Sequence, residues 1–145
     1  MVFALCLPVV ARAQSPVRVT DAWVRATVAA QQATGAFMKL ESTETVQLVG
    51  VRSPVAGVTE VHTTRMQGEV MEMRAVPSLA LPAGTVTELK PGGLHIMLMQ
   101  LKAQVKAGQK VPLTLILENA GRERQEITVE AEVRPLNAPG MQRPE

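Results

Sequence analysis

From Val17 to Arg134 apolar and polar residues alternate with a period of two, the pattern of half-buried strands. Val17-Arg18-Val19-Thr20 leads into Ala22-Trp23-Val24-Arg25, followed by Ala36-Phe37-Met38-Lys39-Leu40 and Val46-Gln47-Leu48-Val49-Gly50-Val51. Further runs occupy Thr59–Thr64, Glu69–Ala75, Val86–Leu89, His95–Leu101, Val111–Leu117 and Glu126–Val133. Gly, Pro, Ser or Asn separates most of them, and Met66-Gln67-Gly68 reads as a hairpin turn. No stretch sustains a helical apolar stripe over three turns. Many short strands joined by tight turns predict an all-β domain, a Greek-key β-barrel or sandwich.

The 145 residues suit one domain, and 46% apolar against 19% charged residues allows a real core. Residues 1–13 are set apart. Val2 to Ala11 is apolar almost throughout, and Ala11-Arg12-Ala13 supplies a small-x-small cleavage site, so this segment reads as a signal-peptide remnant. It is too short to span a bilayer, and no later run reaches that length. The mature domain is expected over residues 14–134, in the periplasm, as a monomer. Residues 135–145 carry Pro135, Pro139 and Pro144 without periodicity and are expected to be disordered. Cys6, the single cysteine, falls in the leader and lacks the preceding small residues of a lipoprotein cleavage site, so lipid anchoring is not expected. The mature chain then has no thiolate and no disulfide. A net charge of +2 spread along the chain, with Phe3, Trp23 and Phe37 as the sole aromatics, argues against a nucleic-acid binder.

Against that background, eight methionines and two histidines stand out. His95 and Met97 lie two apart in one strand and share a face, with Ile96 and Leu98 on the other. Met71 and Met73 also share a face, on the strand that the hairpin turn brings beside His62. Two imidazoles and two thioethers on adjacent strands could therefore converge on one metal. Thioether sulfur is soft and favours Cu(I), which makes little geometric demand. Zn(II) competes for imidazole, but methionine suits it poorly and no Cys, Asp or Glu completes a set. Imidazole must be neutral to bind, so affinity falls as the medium is acidified. Each of these residues taken singly has a plainer explanation, since methionine in strands is commonly core filler. Met38, Met66 and Met141 are read that way, and Met71 and Met99 are left open between packing and the metal's surroundings.

His62, ten residues, Met73, twenty-one residues, His95, one residue, Met97 reproduces without a gap the motif of the periplasmic copper chaperones called PCuAC, which this chain resembles. With eight methionines in 145 residues, two preset positions both being Met by chance has a probability of about 0.003. Asp21-Ala22-Trp23-Val24-Arg25-Ala26-Thr27 and Gly92-Gly93-Leu94-His95-Ile96-Met97-Leu98-Met99 also resemble the family, across residues 17–134. The resemblance implies a cupredoxin-like β-barrel holding one Cu(I) near its surface through His62, Met73, His95 and Met97. It further implies copper delivery to a periplasmic acceptor, in particular for the binuclear centre of cytochrome c oxidase subunit II. The His- and Met-rich extension of some relatives is not matched, because the tail offers only Met141. The rival readings are a copper storage or resistance protein and a metal-free secreted β-sandwich interaction module. No Gly-x-Ser-x-Gly or His-Glu-x-x-His motif occurs, and an enzyme is not expected.

Overall fold

The structure, a computed structural model, describes residues 15–135. The expected leader and the tail beyond Pro135 lie outside the described residues. Ten strands account for the domain: β1 (Val17–Arg25), β2 (Ala33–Ser42), β3 (Val46–Arg52), β4 (Ala56–Gln67), β5 (Val70–Ala75), β6 (Leu79–Leu81), β7 (Val86–Leu89), β8 (His95–Leu101), β9 (Lys110–Asn119) and β10 (Arg124–Arg134). No helix among the described residues is long and apolar enough to cross a membrane.

Hydrogen bonding joins the strands in the order β5-β4-β8-β2-β1-β10-β9-β3-β6, with β7 on the far half of β2. Among the described residues β1–β10 is the one parallel strand pairing, beside an isolated parallel bridge between Ser42 and Ala83, and it joins the first and last of these strands in mid-sheet. The sheet curls until β3 and β4, each one strand from an end of the path, approach each other. A cleft of about 270 Å³ lined by Leu48–Val51, Thr59–Val61 and Ala75–Pro77 marks where it stays open. Period-two alternation fills the interior: Val111, Leu113, Leu115 and Leu117 of β9 point inward beside Ile96 and Leu98 of β8, and all six are buried.

One irregularity decides what the outer face carries. In β1 the pairing with β2 slips between Thr20 and Trp23, and Asp21 takes a φ of 54°. Such a bulge inserts an extra residue and re-aims the side chains after it. Before it, odd-numbered Val17 is buried. After it, even-numbered Val24 is buried, and Trp23 and Arg25 turn outward. Asp21 consequently stays outside, where Arg134 Nη2 donates to its carboxylate at 2.8 Å.

Candidate metal centre

The outer face of β5, β4, β8 and β2 collects the candidate ligands. Across β4 and β8, His62 stands directly opposite His95, and Glu60 opposite Met97. Directly paired residues of antiparallel strands project to one face, so His62, Glu60, His95 and Met97 share it. Their rings confirm the approach, with His62 and His95 centroids 6.0 Å apart and the planes at 61°. On the other side of β4, Met73 pairs with Thr64 and Ala75 with His62, which places Met73 diagonal to His62 on the same face. Diagonal neighbours lie about 7–8 Å apart, within reach of long side chains. The structure thus brings His62, His95 and Met97 together and sets Met73 on the rim, 54% exposed, one rung toward the hairpin tip.

The two imidazoles are held in different tautomers. Glu60 Oε2 lies 2.8 Å from His62 Nε2, and a carboxylate only accepts, so Nε2 carries the proton. In the neutral ring the lone pair is then on His62 Nδ1, which is shielded from solvent and has no hydrogen-bond partner among the described residues. In His95 the arrangement is reversed: Nδ1 donates to the Gly93 carbonyl at 2.9 Å, leaving Nε2 free. That carbonyl belongs to the Pro91-Gly92-Gly93 turn, where Gly92 adopts a φ of +82° that side chains disfavour. A buried nitrogen with a lone pair and no donor is costly unless something occupies it, and a soft cation would.

His95 is only 5% exposed, deeper than the surface position its sequence suggests. Phe37 covers it, with ring centroids 6.3 Å apart, and Trp23 stacks on Phe37 at 4.5 Å. Gly35, opposite Met97, leaves space for the Phe37 ring, because a Cβ there would meet Phe37 Cζ at 2.8 Å. Arg25 and Arg134 lie over the Phe37 and Trp23 rings at 5.5 and 5.2 Å. None of Glu60, Gly93, Phe37 or Trp23 is singled out by the ligand pattern. Glu60 alone was within reach of it, as the residue two before His62 on a strand.

Among the described residues no cluster of three or more His, Cys, Asp and Glu side chains could hold a metal. Around His62 and His95, apart from the Glu60 carboxylate already engaged by His62, the donors are thioethers: Met97, Met73 and, on the rung beyond Met97, Met99 opposite Val58. Of the methionines read as packing residues, Met38 is buried in the core, Met66 is solvent-exposed on β4, and Met141 lies outside the described residues.

Fold and site define an open β domain with an imidazole–thioether cluster on its outer face. The profile of the LpqE-like family, described as "Putative lipoprotein LpqE-like", matches residues 17–133, and the chain belongs to that family. A relative from Leifsonia xyli, "Putative lipoprotein Lxx21020", is 38% identical over 112 residues, 72% of this chain and 68% of the relative. Among solved structures, the apo PCuAC domain of PmoF1 superposes with a TM-score of 0.68 at 20% identity, covering 83% of this chain and 95% of that one. The solution structure of the Cu(I) form of DR1885 from Deinococcus radiodurans is 32% identical, with a TM-score of 0.61 over 90% of this chain and 81% of that one. The fold is the cupredoxin-like β fold of PCuAC domains.

Proposed function

We propose that this domain is a copper chaperone that binds one Cu(I) through His62, Met73, His95 and Met97. The observation that carries the reading is the facing His62–His95 pair, each ring with one nitrogen tied down and one lone pair free, flanked by thioethers. A similar chain solved with Cu(I), at 32% identity, supports the choice of metal. Four neutral donors hold Cu(I) without a thiolate, so the site works in an oxidising compartment where a dithiol would be lost to disulfide formation. Met73, on the exposed rim, is the ligand best placed to close on the metal and to leave it.

Transfer then proceeds by ligand exchange: a donor atom of the acceptor bonds copper as a thioether departs, and copper stays Cu(I). The acceptor's stronger ligands set the direction. We assign the protein to the cell envelope, in keeping with the lipoprotein names of its family and relative. Its acceptor is a periplasmic copper protein, with cytochrome c oxidase subunit II the partner that the PCuAC resemblance implies. No residue is assigned a catalytic role.

The test is an anaerobic Cu(I) titration against a chromophoric chelator, run on the wild type and Met97→Ala. One tight equivalent, weakened at least tenfold in the variant, is the expected outcome. Failure of the wild type to compete for Cu(I) removes the chaperone reading.

A further inference from the structure

Among the described residues, four of the six large hydrophobic side chains that stand exposed belong to a single hairpin: Met66, Val70, Met71 and Met73. Met66 is 59% exposed and Met71 60% exposed, so neither contributes much to a core. They face each other directly across β4 and β5. Parity along β4 puts Met66, Thr64, His62 and Glu60 on one face, and the pairing adds Met71 and Met73 to it. The successive rungs therefore read Met66–Met71, Thr64–Met73, then His62 with His95. Cationic side chains are sorted the other way. Arg65, Glu72 and Arg74 alternate onto the reverse face, where Arg74 pairs with Glu72 at 3.4 Å, so no cationic side chain of the hairpin shares the methionine face.

From this we infer that Met66 and Met71 form a second, weaker Cu(I) site at the hairpin end, through which copper reaches and leaves the histidine site. The inference rests on the histidine–methionine centre proposed above. Opposed side chains start from Cβ atoms about 4.5–5.5 Å apart, a spacing two thioethers can bridge with one soft cation between them. Cu(I) accepts two or three such donors. Met73 stands one rung from each site, roughly 7 Å along the strand in either direction. It supplies the shared ligand: its sulfur bonds copper held by Met66 and Met71, and those bonds then break as His62 and His95 take their place. Oxidation state and total charge do not change. Without imidazole the outer pair binds less tightly, which gives the transfer its inward direction on loading.

The test is a silver(I) titration of the full chain in chloride-free buffer, followed by NMR of methyl-labelled methionine and of the histidine rings. Silver(I) is a closed-shell, soft stand-in for Cu(I). The first equivalent should shift His62, His95, Met73 and Met97, and the second should shift the Met66 and Met71 methyls. In Met66→Leu/Met71→Leu the titration should saturate at one equivalent, with the His62, His95, Met73 and Met97 shifts unchanged, and Cu(I) removal by an external chelator should slow about tenfold. Met66 and Met71 methyls that stay unmoved through three equivalents overturn the second site. An unchanged removal rate in the double variant overturns its role on the copper's path. If the histidine rings stay silent while Met66 and Met71 respond, it is the central site that falls and the outer one that stands.

Discussion

His62 and His95 present different ring nitrogens, and the residues that enforce this are as consequential as the ligands. Glu60 fixes the His62 tautomer from two residues away on its own strand. Partners of ligating histidines typically contribute 10–100-fold to metal affinity. Glu60→Ala should weaken Cu(I) binding by about tenfold or more, while Glu60→Gln, which keeps an accepting oxygen, should retain most of it. Competition titrations of both variants decide the matter, and tighter binding in Glu60→Ala would mean that the carboxylate competes with copper for Nε2. Burial separates His95 from its neighbour Met97. The sequence alone suggests that either could be truncated without harm to the fold, but His95→Ala removes a 5%-exposed ring and the shorter of two hydrogen bonds to the Gly93 carbonyl, which keeps the Thr64 N–H at 3.3 Å. We expect a loss of about 1–3 kcal/mol for His95→Ala in urea unfolding, and a smaller one for Met97→Ala. Gly35→Ala should cost about 1–3 kcal/mol by overpacking against Phe37.

Among the elements, stretches of regular alternation were readable: over His95–Met99 of β8, Ile96 and Leu98 face inward and His95, Met97 and Met99 lie on the outer face, until Gln100, at a φ of 53°, interrupts the pattern and Leu101 is buried. The β4–β5 hairpin was legible too, although the two residues that turn the chain are Gly68 and Glu69, between paired Gln67 and Val70, rather than Met66 to Gly68. Gly68 takes a φ of +65°, and that conformational freedom at the first turn position places the loop. Strand β6 was not foreseen, because three residues between Pro77 and Pro82 carry no readable period. Nor was the register of β4 against β8, which sets His62 opposite His95, because pairing between strands distant in the chain depends on the whole sheet. The β1 bulge belongs to the same class. Deleting Ala22 would restore regular alternation, turn Asp21 toward the interior beside Met38, and destabilise the domain by roughly 4 kcal/mol or more. Chemical denaturation of that deletion variant checks the prediction, and unaltered stability would show that the bulge is dispensable.

For the molecule as a whole, a ligand that binds only the folded state stabilises it by mass action. Free Cu(I) at a hundredfold above Kd should add about 2.7 kcal/mol to unfolding, and His62→Ala should abolish that gain. Anaerobic urea titrations with and without the metal measure both. The first and last strands meet at the centre of the sheet, so this stabilisation should be felt cooperatively by the domain rather than by the hairpin alone. The bulge in β1 also has an optical consequence. It turns the chain's single tryptophan outward onto Phe37, one ring removed from His95. The molecule thereby carries its own emitter beside the metal centre. Copper loading should register as a change in Trp23 fluorescence, with no added dye and no label, making each handover to an acceptor visible in real time.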